Sequence, residues 1–326
     1  MPFKLAIATV TLGRVAAGHA LIKKLQAASE AGYEGVELTY ECFADYNSSR
    51  GRADRLADRL TSASEVRQLA DSLNLDIISL QPFMNYDALQ DPSARLEVGK
   101  EWVLLCEALG ARWLQIPSAV YPLAAEEYTT SFERIAANLC LLADFAAEHS
   151  VELAYEAPSW GIAAQTWQDI DKIIKLAQWP NIRHCLDSFH IATHSLYDPK
   201  TLQPLSDGPD RLRKSLDELK TLPAKDIAYV QFSDGCSVDL SQPDYPVKDL
   251  SQPAFCTWSR NARCHPFDGT LPLVDIGKAF FETGFEGWVA MESFHTEMWE
   301  KEEDVPKRWA ERGIETWKRL RAECRV

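Results

Sequence analysis

The chain has 326 residues, of which 46% are hydrophobic and 25% charged, and its formal net charge is −14 at pH 7. This composition is ordinary for a globular enzyme with a large core, and the acidic balance argues against a nucleic-acid partner, because nucleic-acid-binding proteins present basic faces. No run of eighteen apolar residues exists, so no membrane span is expected and the cytoplasm is the predicted location.

Eight short apolar segments alternate with helical patterns from one end of the chain to the other. Most of them are apolar on consecutive residues, which is typical of parallel strands buried on both faces. Eight strands, each followed by a helix, predict an α/β fold, a single (β/α)8 TIM barrel over residues 1–326. A doubly wound open sheet is the rival fold, but no GxGxxG motif follows the first strand. The predicted strands are 4–12, 34–38, 75–83, 111–117, 151–156, 183–187, 227–233 and 287–293.

Between the strands, apolar residues recur at three- and four-residue steps, as in amphipathic helices. The pattern is clearest over 132–146, 167–177 and 314–320. Two connections, 39–53 and 234–270, are much longer than ordinary turns, and connections of this length are often functional lids. Because both follow a predicted strand, we expect both to be long loops on the active face of the barrel.

The first three strands and their loops carry candidate substrate-binding residues. Arg14 and His19 lie in the loop after the first strand. Glu37 ends the second strand, and Gln81 lies near the end of the third. Barrel enzymes bind substrate at the carboxyl ends of their strands, so each of these groups is placed to contact a substrate hydroxyl or carboxylate. A hydrogen bond within the core or at the rim is an equally good interpretation for each.

Strands five to eight each end on an oxygen-bearing side chain. An isolated carboxylate or amide at the tip of a buried strand is costly unless something satisfies it. A lone glutamate there is more often a salt-bridge partner, but four oxygen donors on one face would suit a hard divalent cation such as Mg²⁺ or Mn²⁺. We call these four residues the strand-end set: Glu156, Asp187, Gln231 and Glu292.

His190 lies three residues after Asp187, at the start of the segment that follows the sixth strand. It is predicted to turn back over the same pocket, either as a general base or as a hydrogen-bond partner to a substrate hydroxyl. A structural histidine is the alternative interpretation.

Arg260 lies in the 234–270 connection, close to Trp258 and among several prolines. A planar guanidinium is the natural bidentate partner of a carboxylate. We therefore predict that Arg260 binds a substrate carboxylate, with Arg14 as the reserve candidate for that role.

The eight cysteines are spaced irregularly and include no CxxC pair. Zinc-ribbon and thioredoxin-like sites are therefore not favoured. Reduced, buried thiols are the expectation for a cytosolic protein.

The strand-end set together with His190 resembles the xylose-isomerase-like barrel superfamily of sugar isomerases, epimerases and related lyases. Several longer stretches resemble one branch, the fungal-type 3-dehydroshikimate dehydratases of quinate catabolism, and the similarity covers nearly the whole chain. Gln231 also fits this branch, since ketose epimerases usually place a histidine there. Among these stretches are Leu12-Gly13-Arg14, Ala17-Gly18-His19, Leu80-Gln81-Pro82-Phe83, Tyr155-Glu156-Ala157, Asp187-Ser188-Phe189-His190 and Trp258-Ser259-Arg260-Asn261.

The resemblance implies a lyase that dehydrates 3-dehydroshikimate, a small anionic cyclic polyol, to protocatechuate through a metal-stabilised enediolate. It implies one divalent ion, Mg²⁺, Mn²⁺ or Co²⁺, on the strand-end set. His190, Glu156 and Glu292 are the candidate catalytic groups. Some bacterial dehydratases carry a histidine two residues after the first metal glutamate. Pro158 occupies that position here, so the identity of the base stays open.

A ketose epimerase or isomerase, or an inosose-type dehydratase, is the enzymatic alternative, because the same barrel and metal support both outcomes. Substrate charge distinguishes them, since a neutral sugar leaves Arg260 and Arg14 without an anionic partner. An abasic-site endonuclease would need a richer histidine cluster and a basic DNA-binding face, and seven histidines with a net charge of −14 argue against it. A barrel kept only as a binding module is the non-enzymatic alternative, which the intact strand-end set disfavours. The oligomeric state is left open, a homo-oligomer included.

Overall fold

The computed structural model describes residues 3–239, 245–248 and 251–326. Eight parallel strands form one closed barrel, in which β1 pairs with both its chain neighbour and the last barrel strand. The predicted TIM barrel is therefore confirmed, and the open sheet is excluded. The barrel strands are β1 (Phe3–Ala8), β2 (Gly35–Thr39), β3 (Asp76–Gln81), β4 (Trp113–Pro117), β5 (Glu152–Glu156), β6 (Ile182–Asp187), β7 (Ile227–Phe232) and β10 (Gly287–Met291).

Helices surround the barrel and pack their apolar faces against it and one another. The three segments with the clearest helical periodicity are confirmed as parts of α5, α6 and α11. No helix among the described residues is long and apolar enough to cross a membrane. The helices are α1 (Leu21–Ala31), α2 (Tyr40–Ser49), α3 (Leu56–Ser72), α4 (Ser93–Leu109), α5 (Phe132–Glu148), α6 (Trp167–Ala177), α7 (Ser188–Leu196), α8 (Gly208–Leu219), α9 (Ala254–Asn261), α10 (Leu273–Glu282) and α11 (Val305–Cys324).

The barrel interior is filled by a layer of buried side chains below the carboxyl ends of the strands. Trp113 and Tyr229 are the large members, with ring centroids 5.4 Å apart, and Ala154 and Ala290 are small ones. Side chains two residues apart on a strand point to the same face. The next inward residues along three of these strands are Glu156, Gln231 and Glu292.

The two long connections are not plain loops. The 39–53 connection contains the helix α2, so the prediction of a loop there is wrong; Phe43 and Tyr46, three residues apart, form its buried face. The 234–270 connection contains β8 (Asp234–Gly235), α9 and β9 (Ala262–Cys264), and these strands form a small antiparallel sheet with β11 (Phe294–His295). The parts of that predicted loop at 240–244 and 249–250 lie outside the described residues.

The small sheet also corrects the expectation for the cysteines. Cys236 and Cys264 form a disulfide, with their Cα atoms 6.2 Å apart. Antiparallel pairing of β8 with β9 brings these two segments together, and the Cys236 backbone N–H donates to the Ala262 carbonyl oxygen. The other six cysteines are free thiols, as expected.

Candidate metal centre

Acidic side chains from separate strands meet at the carboxyl end of the barrel. Glu156 ends β5, Asp187 ends β6 and Glu292 directly follows β10, and they are 6%, 3% and 4% exposed. One ligand atom from each of Glu156, Asp187 and His190 can be chosen so that all lie within 4.8 Å of one another. These three residues form a group that could hold a metal ion.

Asp187 is oriented by the helix that follows it. Because α7 begins directly after β6, the Asp187 carboxylate caps the helix, and its Oδ1 accepts the Phe189 backbone N–H at 2.7 Å. Its Oδ2 accepts a hydrogen bond from Arg263 Nη2 at 2.6 Å. Oδ1 therefore caps the helix, and Oδ2 faces the neighbouring charged groups.

Three glutamine amides each donate a hydrogen bond to a glutamate on another strand end. The pairs are Gln81 with Glu292 (2.7 Å), Gln115 with Glu156 (2.6 Å) and Gln231 with Glu37 (3.0 and 3.1 Å). In the first two pairs the carboxylate belongs to the strand-end set, whereas in the third the amide does. All four residues of the strand-end set are therefore at the same end of the barrel, and each is held by a partner from another strand, Asp187 by Arg263 on β9.

The buried acids are close enough that their ionised forms repel one another, so negative charge is disfavoured at the centre unless a cation offsets it. Burial raises the pKa of Glu156 well above its ordinary value, and repulsion by Glu292 and Asp187 raises it further. Burial and Glu292 likewise raise the pKa of Glu37 to about 8. Arg263 offsets part of this charge, and a divalent cation would offset more. The donor oxygens present are those that hard cations prefer, so the residues fit such an ion.

Arg263, on β9, is a buried residue of the centre that the sequence did not reveal. Its Nη2 donates to Asp187 Oδ2 and, at 3.1 Å, to Glu292 Oε2. Its guanidinium lies over the rings of Phe189 and Phe294, at 4.9 and 5.2 Å from their centroids. With 2% of its surface exposed, it is an ion-pair partner held in place on both faces.

His190 is held with one ring nitrogen turned away from the carboxylates. The Ser159 backbone N–H donates to His190 Nδ1 at 3.3 Å, and Trp160 packs edge-on against the ring. Burial lowers the pKa of His190 to about 4, so the ring is neutral near pH 7. Since Nδ1 accepts a hydrogen bond, the network assigns the proton to Nε2, which lies 3.7 Å from Glu156 Oε1 and 3.6 Å from Asp187 Oδ2.

A cavity of about 330 Å³ adjoins the centre, and Glu156, His190 and Glu292 contribute to its lining. Both predicted carboxylate contacts, Arg14 and Arg260, also line it.

The two arginines differ in their partners. Arg14 is paired with Glu41 at 2.7 Å, and its guanidinium lies over the ring of Trp299. Arg260 is half-buried, and its side chain makes no hydrogen bond or ion pair within the described part of the chain. Arg260 is therefore the better placed of the two to bind an anion.

Of the other three predicted substrate contacts, one lines the cavity and two do not. Gln81 lines the cavity and donates to Glu292. Glu37 is 0% exposed and is not among the residues that line the cavity. His19 is also absent from the lining, and its Nε2 is 2.7 Å from the Glu300 carbonyl oxygen.

Comparisons with known proteins agree with the fold. The family model of the xylose isomerase-like TIM barrel matches residues 25–320. A 3-dehydroshikimate dehydratase of Neurospora crassa is 32% identical over an alignment of 347 positions that covers 100% of this chain and 96% of that protein. A 3-dehydroshikimate dehydratase of Pseudomonas aeruginosa is 27% identical over 89% of this chain and 38% of that protein. The solved structure of a xylose isomerase-like TIM barrel/4-hydroxyphenylpyruvate dioxygenase fusion protein has a TM-score of 0.76 at 22% identity, covering 99% of this chain and 43% of that one.

Proposed function

The chain belongs to the xylose isomerase-like TIM-barrel family, and from this premise we propose that it is a 3-dehydroshikimate dehydratase, a hydro-lyase that forms protocatechuate. The full-length similarity to a fungal enzyme of that name carries the proposal. The cavity supports it, because buried carboxylates line it together with an arginine that has no partner among the described residues. The cytoplasmic location and a homo-oligomeric state stay predictions.

The functional groups of the substrate match the carboxylates and the arginine that line the cavity. 3-Dehydroshikimate carries a ketone, a hydroxyl on the adjacent carbon, a leaving hydroxyl one carbon further on, and a ring carboxylate. The oxygens that react need acid and base groups, whereas the carboxylate needs a cation. A cavity of about 330 Å³ lies at the lower end of the roughly 300–1,000 Å³ range of small-molecule sites, which suits one such ring.

We assign the strand-end set, Glu156, Asp187, Gln231 and Glu292, as the residues that hold one divalent ion, Mg²⁺, Mn²⁺ or Co²⁺. When bound, such an ion would supply positive charge that stabilises the negative charge formed as the proton next to the ketone is removed. Gln81 and Gln115 orient two of the carboxylates, since each amide occupies one carboxylate oxygen.

Proton transfer is assigned to residues that line the cavity. Glu156 and Glu292 are the candidate bases for the proton next to the ketone, because both are carboxylates that line the cavity. His190 is assigned as a hydrogen-bond donor to the departing hydroxyl, because its neutral ring carries hydrogen on Nε2. This role differs from that of general base, which would require a free Nε2.

Substrate choice tests the proposal against its rival. Incubation of the protein with 3-dehydroshikimate and Mg²⁺, Mn²⁺ or Co²⁺ is expected to produce aromatic absorbance, and mass spectrometry should identify the product as protocatechuate. Neutral ketoses supplied under the same conditions should not be epimerised at a comparable kcat/KM. Preferential turnover of the ketoses would replace the dehydratase proposal with the epimerase one.

Arg260 is assigned as the contact for the ring carboxylate. Arg260→Ala is expected to raise KM for 3-dehydroshikimate by roughly 10- to 100-fold, the scale of about 1.5–3 kcal/mol for a hydrogen bond to a charged group. Arg260→Lys should recover little of this loss, because an ammonium cannot reproduce the bidentate fork.

Arg14→Ala provides the comparison, since Arg14 lines the same cavity but is already paired with Glu41. It is expected to change KM less than Arg260→Ala does. Steady-state kinetics of the three variants, with the affinity for Mn²⁺ measured in parallel, separate loss of substrate binding from loss of the cation. Normal KM values in both alanine variants would contradict the assignment.

A further inference from the structure

Glu37 is a buried carboxylate that has no place in the proposed chemistry. It is 0% exposed, and it is not among the residues that line the cavity. We propose that Glu37 is a positioning residue, whose carboxylate fixes the amide of Gln231 so that the amide oxygen, and not the nitrogen, is available to the cation. This inference rests on the proposed cation site.

The hydrogen bonds around Gln231 distinguish the two ends of its amide. Nε2 donates to both carboxylate oxygens of Glu37, at 3.0 and 3.1 Å, so the nitrogen faces β2 across the barrel. Oε1 accepts the Cys185 thiol at 3.2 Å and is turned toward β6. Asp187 ends β6 and is the direct strand partner of Gln231. The oxygen is therefore on the side of the barrel that carries another member of the strand-end set.

An amide is a usable ligand only in one of its two orientations. The carbonyl oxygen has lone pairs for a hard cation, whereas the NH₂ group presents hydrogens with partial positive charge. A rotation of the Gln231 amide by half a turn would place Oε1 against the Glu37 carboxylate, where two acceptors would face each other in a buried site. That arrangement is costly, because the Gln231 oxygen would lose its donor, the Cys185 thiol, and Glu37 would keep only Ser79 Oγ, at 3.4 Å, of the two side chains that now donate to it. Glu37 thus selects the orientation that binds the cation.

The other two pairs show why the third needs a carboxylate. Gln81 and Gln115 donate to Glu292 and Glu156, and there the proposed ligand is the carboxylate. A carboxylate has two equivalent oxygens and presents a ligand atom in either orientation. At Gln231 the ligand is the amide, so its partner must be an acceptor that does not itself donate. Ionised Glu37, the form that a bound cation would favour, meets that requirement, and a glutamine in its place would not.

The experiment compares Mn²⁺ binding by the full-length wild type and Glu37→Gln, using isothermal titration calorimetry. The variant keeps the size of the side chain and can still accept a hydrogen bond. However, the amide at position 37 can donate or accept, so it no longer fixes the orientation of the Gln231 amide. We expect its Kd for Mn²⁺ to rise about 10- to 100-fold, the range typical of residues that orient metal ligands. Glu152→Gln is the matched control, because Glu152 is a glutamate at the start of β5, at the end of the barrel away from the proposed ligands. The Kd of this variant for Mn²⁺ should equal the wild-type value.

Thermal unfolding of the cation-free proteins separates positioning from a general structural role. Glutamine keeps the size of the Glu37 side chain and can accept a hydrogen bond, so the Tm of the cation-free variant should be close to that of the wild type. The gain in Tm on adding Mn²⁺ should be smaller than in the wild type. A merely structural residue would lower Tm in both states and leave Kd unchanged.

A double variant tests the pairing itself. Glu37→Gln combined with Gln231→Glu exchanges the two side chains. The amide at position 37 then donates to a carboxylate at position 231, as in the other two pairs, and that carboxylate presents an oxygen to the cation. It should recover most of the Mn²⁺ affinity lost in Glu37→Gln. A wild-type Kd in Glu37→Gln, or no recovery in the double variant, would overturn the inference while leaving the cation site intact. Absence of Mn²⁺ binding by the wild type would instead overturn both this inference and the proposed cation site.

Discussion

Replacing Asp187 by asparagine is expected to lower kcat/KM for 3-dehydroshikimate by about 10²–10³-fold and to weaken Mn²⁺ binding in parallel. A bound cation contributes several kcal/mol of charge stabilisation, and each factor of ten corresponds to about 1.4 kcal/mol. Asparagine keeps an oxygen that can cap α7, so the loss would reflect the missing charge and not an uncapped helix. Calorimetry with Mn²⁺ and steady-state kinetics on the same preparations measure the two effects.

Glu152→Gln is again the control, because it removes a strand carboxylate at the amino end of the barrel. Glu152 pairs with Arg112 and Arg183 there and contacts none of the proposed ligands. Wild-type Mn²⁺ affinity and activity in Asp187→Asn would contradict the assignment of Asp187 as a ligand. Equal losses in both variants would indicate a general effect on folding.

The second large effect is expected at His190. His190→Ala should lower kcat and kcat/KM together by about 10²–10³-fold, the scale of losing one pre-organised hydrogen-bond donor, because the contact with the departing hydroxyl is lost. Mn²⁺ affinity should change much less, since the neutral ring presents an N–H toward Glu156 and Asp187 and not a lone pair. Single-turnover kinetics with 3-dehydroshikimate measure the step directly.

His190→Gln distinguishes hydrogen bonding from proton transfer. The glutamine amide can donate a hydrogen bond but cannot give up a proton, so it should recover part of the activity lost in His190→Ala. No recovery in His190→Gln would show that a hydrogen bond does not suffice. Near-normal turnover by His190→Ala at every pH would remove His190 from the reaction and leave proton transfer to Glu156 and Glu292.

The barrel could be predicted from sequence because its strands are locally encoded. Consecutive apolar residues identify strands buried on both faces, and all eight predicted strands overlap observed ones. Their ends were less certain: the first was predicted over 4–12, but β1 stops at Ala8 and a 3-10 turn follows at Thr9–Leu12. Helix α2 was predicted as a loop, because its serines, asparagine and aspartate are more typical of turns than of helix interiors.

The members of the centre could be predicted only in part. Residues at strand tips are identifiable, since side-chain direction alternates along a strand. Their partners are not, because contacts such as Gln81 with Glu292 join residues 211 positions apart and depend on closure of the barrel. The same limit applies to Glu37, which was predicted to contact substrate, although its oxygens accept the Gln231 amide.

Arg263 shows a further limit of sequence reasoning. The nearby Arg260 was singled out in the same connection, but Arg263 has the buried position beside Asp187 and Glu292. The available signal was a charged residue between Ala262 and Cys264, in a short segment otherwise free of charge. Without knowledge that this segment pairs with β8 and β11, that signal could not be separated from an ordinary surface arginine.

The most direct test of the proposed function is the formation of protocatechuate by protein that has been stripped of metal and then titrated with Mn²⁺. We expect no aromatic product before the titration, and a rate that rises with added Mn²⁺ and saturates as a single site fills. Absence of protocatechuate with every divalent cation would contradict the proposed reaction. Full activity of the exhaustively demetallated protein would contradict the role of the cation held by Glu156, Asp187, Gln231 and Glu292.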